Sequence, residues 1–367
     1  MKKKKLSLFV LIIAMVLVLY FTLKDDFSGV IAEFKKINIP IFLLAILVLL
    51  ISLLFKSLSL KKFVCEYNSN YTVKKSYQLT LIGQFLNGIT PFQTGGQPFQ
   101  VYLLKKDGVR ISDSTNAMIK DFLSYQIALI IVGILAILLS LKINVLTDNV
   151  YLNGLIFLGF IINFIVLVFL LLFSLTKKTG YKLAHMIVHF FLKFRLIRKI
   201  FKDENRIDEG LKHFYETGLE LKKSKTIIFK CIFYNIIHLL LLYLIPFIVF
   251  KSLNYNGVSI IESLISISFV MLISNFIPIP GATGGIEYSF MQFFGVFASG
   301  AILSSAMLLW RFITYALAMI IGFITLILKK GVKKNENRTI YWCVSSFYKW
   351  SCNKCIYVKT RIRTIRS

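Results

Sequence analysis

Two charged residues in the second half of the chain lie within otherwise apolar sequence. Arg311 stands in LLWRFITY, and Glu287 follows the turn-forming stretch PGATGG. A charge within the hydrocarbon region of a membrane is unfavourable unless it is paired or hydrated, so such residues usually belong to functional sites. We predict that Glu287 pairs with Arg311. Two roles stay open at this point: a structural ion pair, and a direct contact with a charged substrate.

A Pro-x-x-Thr-Gly-Gly motif occurs at residues 91–96 and again at residues 280–285. Proline ends helices, and paired glycines allow backbone angles that other residues avoid, so both copies predict tight turns. The polar side chains around the first copy are uncharged, whereas Glu287 follows the second copy. The predicted substrate-binding residues are Gln93, Thr94, Gly95, Gly96, Gln97, Gln100, Asn275, Thr283, Gly284, Gly285, Glu287 and Arg311.

The elements that position these residues are predicted to cross a membrane. Of the 367 residues, 57% are hydrophobic, and the mean hydropathy is +0.73. A soluble domain cannot cover that much apolar surface, and about 20 consecutive apolar residues span a bilayer. The first apolar run is too long for a signal-peptide core and lacks a cleavage site, so we predict a retained helix. The six predicted spans are residues 6–23, 41–60, 122–141, 152–175, 227–250 and 301–328.

The basic residues predict the orientation of these helices. The formal net charge is +27, and 38 of the 44 Lys and Arg residues fall in segments that an internal N-terminus would place in the cytoplasm. Five fall in external segments, and Arg311 lies within a span. This asymmetry follows the positive-inside rule and puts both termini in the cytoplasm. The basic excess then reflects topology and attraction to anionic lipid, so no nucleic-acid partner is expected.

Both turn motifs fall in segments that this orientation prevents from crossing. Residues 76–104 begin and end on the cytoplasmic side, whereas residues 259–300 begin and end outside. Each segment has room for two short helices that meet at the turn. The predicted fold is an all-α polytopic membrane protein with six transmembrane helices and two opposed re-entrant hairpins, as in the inverted repeats of transporters. The alternative is that both segments are extramembrane loops with interfacial helices.

The remaining polar segments indicate a single domain with a basic tail. We predict a transmembrane domain at residues 1–330, with a cytoplasmic loop at 176–226, followed by a cytoplasmic tail at 331–367. Asp121 is predicted at the cytoplasmic end of its helix, facing the interface. His238 is predicted as a packed helix contact, with a proton relay left open. No catalytic motif or complete ligand set is present, so we predict no catalytic residue, metal or cofactor.

Three stretches together resemble a known family. TPFQTGGQPFQVYLLKKDGV, NFIPIPGATGGIEYSF and LLWRFITY are similar to the flippase-like transmembrane domain of lysylphosphatidylglycerol synthases, also called multiple peptide resistance factors. The resemblance covers roughly residues 5 to 330. It implies a protein of the bacterial cell membrane that moves aminoacylated phosphatidylglycerol to the outer leaflet, which gives resistance to cationic antimicrobial peptides. The motif positions it matches are Gly95, Gly96, Pro280, Gly284, Gly285, Glu287 and Arg311.

The chain departs from this family pattern in two places. Many relatives carry an acid and an arginine in the first turn region, where this chain has Gln97 and Gln100. Only 37 residues follow Lys330, too few for the cytosolic domain that transfers lysine from lysyl-tRNA. The resemblance therefore implies translocation of an anionic or aminoacylated phospholipid. The alternatives are phosphatidylglycerol lysyltransferase activity and a non-transporting partner of a separate aminoacyl-lipid synthase, and a homo-oligomer is also left open.

Overall fold

The computed structural model describes residues 27–90, 93–143, 150–175, 225–274, 277 and 279–329. Within these residues all regular structure is helical, which confirms the predicted all-α class. The predicted span at 6–23, residues 176–224 of the predicted loop, and the tail at 331–367 lie outside the described residues. In chain order the helices are α1 (Phe27–Lys35), α2 (Ile39–Cys65), α3 (Val73–Gly88), α4 (Gly96–Lys106), α5 (Ile111–Ile143), α6 (Val150–Leu175), α7 (Lys225–Ser252), α8 (Ile260–Ser274), α9 (Gly285–Phe294) and α10 (Gly300–Lys329).

Five of these helices are long and apolar enough to cross a membrane: α2, α5, α6, α7 and α10. They confirm the second to sixth predicted spans. The largest difference in bounds is at α5, which begins at Ile111 instead of residue 122. The polar segment before the apolar run continues the helix, with Asp113 in the first turn. The helix dipole favours an acidic residue at that position.

Helices α2 and α7 pack side by side in opposite directions. The backbone N–H of Asn38, just before α2, donates to the carbonyl oxygen of Ser252 at the end of α7 (2.7 Å). Further along both helices, Cys231 Sγ donates to the carbonyl oxygen of Ser59 (3.5 Å). The two helices therefore define two ends of the bundle, which we call the Cys65 end and the Ser252 end.

Hairpin 1 consists of α3, α4 and the turn between them (residues 73–106). Its two ends meet, because the hydroxyl of Tyr71 donates to Asp107 Oδ2 (3.3 Å). Lys329 Nζ joins them from the end of α10, 3.1 Å from the same oxygen. Burial and the Asp107 carboxylate raise the pKa of Tyr71, so the phenol remains a donor. Hairpin 1 thus enters the bundle from the Cys65 end and returns there.

Hairpin 2 consists of α8, α9 and the turn between them (residues 260–294). The hydroxyl of Tyr255, before α8, donates to the carbonyl oxygen of Phe297, after α9. Asn254 Nδ2 donates to the carbonyl oxygen of Lys36 (3.0 Å), which joins this base to the start of α2. Hairpin 2 therefore enters from the Ser252 end. The predicted pair of opposed re-entrant hairpins is confirmed.

The two halves of the chain support each other's hairpin. Helix α10 packs along α3, and α5 packs against α8. In each case a long helix that follows one hairpin contacts the first arm of the other hairpin. This reciprocal packing between the two halves is the arrangement expected of inverted repeats.

Aromatic side chains fix the position of α10 against hairpin 2. The ring of Phe290 on α9 stacks on Trp310, with centroids 4.9 Å apart, and faces Phe250 at 6.5 Å. All three side chains are fully buried. Large aromatic side chains bury much apolar area in a defined geometry. Because Trp310 precedes Arg311, this packing also sets the depth at which Arg311 lies.

Candidate functional site

The turns of the two hairpins meet in the middle of the bundle, and Tyr315 contacts both. Its hydroxyl donates to the carbonyl oxygen of Gly88 at the end of α3 (3.0 Å). Its ring occupies the space that a side chain at Gly281, in the turn of hairpin 2, would need. Tyr315 lies in a π-helical segment of α10, Phe312–Leu317, directly after Arg311. Such segments are rare and occur frequently at functional sites.

The turn of hairpin 1 is held by two side chains, Asn87 at the end of α3 and Thr90 in the turn itself. Thr90 Oγ1 accepts from the backbone N–H of Gly95 (2.9 Å), and Asn87 Oδ1 accepts from that of Gly96 (2.8 Å). A Cβ at Gly96 would meet Asn87 Oδ1 and lie 2.8 Å from the carbonyl oxygen of Gly83. The second glycine of the motif is therefore required for the close approach of α4 to α3.

We expect Thr90→Val to lower the free energy of unfolding by about 1–2 kcal/mol, because the buried N–H of Gly95 loses its acceptor. SDS titration of the protein in mixed micelles, followed by circular dichroism, measures this change. Thr115→Val on α5 is the matched control, since Thr115 Oγ1 makes an exposed hydrogen bond to the carbonyl oxygen of Ile111. The control should change stability by less than about 0.5 kcal/mol. Equal losses in both variants would contradict the role given to Thr90.

The turn of hairpin 2 is held by Glu287 and Arg311. Glu287 Oε2 accepts from the backbone N–H of Gly284 (2.6 Å), and Oε1 accepts from Arg311 Nε (2.6 Å). Arg311 Nη2 donates to the carbonyl oxygen of Gly281 (3.0 Å). Gly284 and Gly281 have φ angles of 92° and 64°, which favour glycine. The predicted pairing of Glu287 with Arg311 is confirmed, and it fastens this turn to α10.

A cavity of about 460 Å³ lies between the two turns. Its walls come from both hairpins and from α2, α5, α6, α7 and α10. Five of the predicted site residues line it: Gln93, Thr94, Gln97, Gln100 and Arg311. Six others lie in the turns or in the first helical turn after them without lining the cavity: Gly95, Gly96, Thr283, Gly284, Gly285 and Glu287. Asn275 lies outside the described residues.

The cavity wall contains a second ion pair, whose residues were not among the predicted site residues. Lys56 Nζ donates to Asp121 Oδ2 (2.8 Å) and to Asn235 Oδ1 (3.2 Å). Ser59 Oγ donates to the other carboxylate oxygen of Asp121 (2.7 Å). The Lys56 ammonium also lies 4.8 Å from the centre of the Tyr125 ring. These contacts join α2, α5 and α7 at one wall of the cavity.

The prediction that Asp121 faces the membrane interface is wrong. Because α5 begins at Ile111, Asp121 lies about 15 Å into the helix rather than at its start. Its side chain is 6% exposed and contributes to the cavity wall. One signal was available in the sequence, since Lys56, which is counted above with the cytoplasmic basic residues, also falls in the last five residues of the predicted span at 41–60. Its partner could not be identified, because Asp121 is 65 residues away along the chain.

His238 lies in the same wall as a packed contact between α7 and α2. Its Nδ1 is 2.7 Å from Ser52 Oγ, and the hydroxyl also lies 3.1 Å from the carbonyl oxygen of His238. Among the residues that the structure describes, no group of three or more His, Cys, Asp or Glu side chains forms a potential metal site. The polar groups that line the cavity are amides, hydroxyls, the His238 imidazole, the Arg311 guanidinium and the Lys56–Asp121 ion pair.

Comparison with known families identifies a matching family. The sequence model described as "Lysylphosphatidylglycerol synthase TM region" matches residues 7–322. The matched region includes both hairpins, the cavity and Arg311. No curated protein matches the chain.

Proposed function

The chain belongs to the lysylphosphatidylglycerol synthase transmembrane family, and from this membership we propose that it is a flippase-like protein that moves a phospholipid head group between membrane leaflets. The proposed substrate is aminoacylated (lysyl-)phosphatidylglycerol or a related anionic phospholipid. Its transfer to the outer leaflet of a bacterial cell membrane would reduce the negative surface charge. Cationic antimicrobial peptides would then be attracted less strongly.

The observation that carries this proposal is the cavity between two opposed hairpin turns, which polar side chains line in part. A phosphate head group cannot enter hydrocarbon without replacing the hydrogen bonds that it makes to water. Side-chain amides from hairpin 1 and the Arg311 guanidinium line the same cavity and offer such hydrogen bonds. Non-helical backbone at membrane depth is tolerated where it lines a cavity of this kind.

The hairpins also suggest how access could alternate between the two sides. Hairpin 1 enters from the Cys65 end, which the distribution of basic residues assigns to the cytoplasm. Hairpin 2 enters from the Ser252 end, which the same rule assigns to the outside. We propose that rearrangement of one hairpin against the other exposes the cavity first to one leaflet and then to the other. Tyr315, which contacts both turns, would have to release at least one of them.

Leaflet exchange in liposomes tests the proposal. We expect the purified protein to accelerate exchange of labelled lysylphosphatidylglycerol at least about tenfold over protein-free liposomes, because the cavity lowers the barrier for the head group. Phosphatidylglycerol and a polyprenyl-phosphate lipid are compared in parallel. No acceleration with any of the three lipids would refute the proposed function.

A cavity-filling variant provides the internal control for this assay. Gln97→Trp places a large side chain in the cavity and should abolish the acceleration. Ile111→Trp adds the same side chain at an exposed position at the start of α5 and should leave exchange unchanged. Melting temperatures of both variants show whether they remain folded. Equal exchange by the two folded variants would place the transport route outside the cavity.

A further inference from the structure

The cavity wall carries a cation at each of two depths, and each cation belongs to an ion pair. Arg311 lies about 17 Å along α10 from its start at the Ser252 end, and Lys56 lies about 14 Å from the Cys65 end of α2. Arg311 lines the cavity, whereas its partner Glu287, in the first turn of α9, does not. Lys56 and Asp121 differ from this arrangement because both line the cavity. Among the ion pairs that the structure describes, only Lys56–Asp121 therefore has both its cation and its carboxylate in the cavity wall.

We infer that Lys56 and Asp121 form a second binding station, selective for head groups that carry both a phosphate and an ammonium group. This inference rests on the proposed function. Lys56 would bind the phosphate, and Asp121 would bind the ammonium. Tyr125 would add a favourable ring face next to that ammonium, since it already lies 4.8 Å from the Lys56 ammonium.

The selectivity follows from the exchange of partners that binding requires. A phosphate that takes Lys56 must displace the Asp121 carboxylate from its cation. With a purely anionic head group, Asp121 would remain buried with Ser59 Oγ as its donor and no positive charge, which is strongly unfavourable. A head group with an ammonium replaces both partners at once. The Asp121 carboxylate therefore disfavours the binding of phosphatidylglycerol electrostatically, without any steric exclusion.

A structural ion pair alone would make a different prediction. If Lys56 and Asp121 only tie α2 to α5, neutralising either residue should weaken binding of every lipid equally and lower the melting temperature. If they recognise the head group, Asp121→Asn should change the ratio of the affinities for two different lipids. The ratio between two lipids is therefore the decisive quantity, because a general loss of stability does not alter it.

Binding can be measured through Trp310, which lines the cavity. The chain has three tryptophans, and the other two, Trp342 and Trp350, can be replaced by phenylalanine. Titration of this single-tryptophan protein in detergent with dihexanoyl phosphatidylethanolamine and dihexanoyl phosphatidylglycerol gives both dissociation constants. We expect the ethanolamine lipid, which carries phosphate and ammonium, to bind about tenfold or more tightly than the glycerol lipid. The same titration with glycerophosphoethanolamine, which lacks acyl chains, distinguishes binding of the lipid from binding of its soluble head group.

Variants of the station decide the inference. Asp121→Asn should remove the preference, and Asp121→Glu should retain it. Lys329→Gln is the matched control, because the Lys329–Asp107 pair (3.1 Å) has a similarly buried lysine, 20% exposed against 18% for Lys56, and lies outside the cavity wall. Equal affinities for the two lipids in the parent protein, or an unchanged ratio in a folded Asp121→Asn variant, would overturn the inference.

The same lipids in the leaflet-exchange assay separate this inference from the proposed function. Selective binding without exchange would refute the flippase function and leave the station as a lipid-binding site. Exchange without a preference that depends on Asp121 would support the function and refute the station. Should Asp121→Asn fail to fold, the parent ratio and the Asp121→Glu ratio still decide, because loss of preference in either overturns the inference.

Discussion

Replacing Arg311 by methionine is expected to lower the free energy of unfolding by about 3–5 kcal/mol, because the Glu287 carboxylate is left buried without its cation. The side chains of the pair are 13% and 9% exposed, so water can replace little of the lost interaction. The carbonyl oxygen of Gly281 also loses its donor. SDS titration in mixed micelles measures the change. Leaflet exchange by any folded fraction should fall as well, since Arg311 lines the cavity.

Two further variants separate the ion pair from other effects of the substitution. Glu287→Gln with Arg311→Met removes both charges, and the glutamine oxygen can still accept from the backbone N–H of Gly284. This double variant should recover much of the stability lost in Arg311→Met. Arg110→Met is the control, since the Arg110 side chain is 81% exposed, although that of its partner Asp113 is 7% exposed. Its effect should be below about 1 kcal/mol.

The outcome of the double variant also separates the two roles that the sequence left open for Glu287 and Arg311. Recovery of stability together with leaflet exchange would identify a purely structural pair. Recovery of stability without exchange would show that the Arg311 charge itself contacts the substrate. A double variant no more stable than Arg311→Met would contradict the assignment of the loss to an unpaired carboxylate.

Gly322→Ala is expected to destabilise the fold by about 3 kcal/mol, the upper end of the usual range for overpacked cores. A Cβ at this position on α10 would meet the backbone carbonyl oxygen of Leu81 on α3, and would lie 2.9 Å from Phe85 Cβ. Backbone atoms inside two packed helices cannot move away as a flexible side chain can. The substitution therefore pushes α10 away from hairpin 1, and thermal melting in detergent measures the loss.

Gly133→Ala on α5 is the control for this second prediction. The nearest atoms to a Cβ there lie 3.7 Å away, which is an ordinary contact distance. Alanine should therefore fit, and it favours a helix over glycine by about 0.5–1 kcal/mol. The two glycine-to-alanine changes should thus have opposite signs. Destabilisation of both proteins by the same amount would show that the Gly322 contact with Leu81 is not the cause.

Local sequence was sufficient to predict the long apolar helices and the two hairpins of this fold, but not the short helix α1. Each long apolar run becomes a helix because its backbone groups must be satisfied within the membrane, and five of the six predicted runs are described as such helices. The Pro-x-x-Thr-Gly-Gly motifs become turns because their proline and glycines interrupt helices. The pairing of Glu287 with Arg311 was also predictable, since both are charges in apolar surroundings of the same half of the chain.

The bounds of α5 illustrate what local sequence determined poorly. Hydropathy shows where apolar residues begin, but helical hydrogen bonding continues through the polar residues before them. Once α5 starts at Ile111, Asp121 moves from a predicted interfacial position to the cavity wall. The direction in which it points was also hidden, because polar and apolar residues of α5 are not separated into clear faces, so its sequence does not distinguish a lipid face from a protein face.

Sequence alone therefore determined that this chain is a membrane protein with two turn motifs and an Arg311 that needs a partner. Only the tertiary structure decided that Glu287 fastens a turn while Lys56 and Asp121 both face the cavity. The physical reason is that a buried charge must be compensated by whatever the fold places beside it. For Lys56 that partner comes from a helix 65 residues away along the chain, through packing that no local pattern specifies.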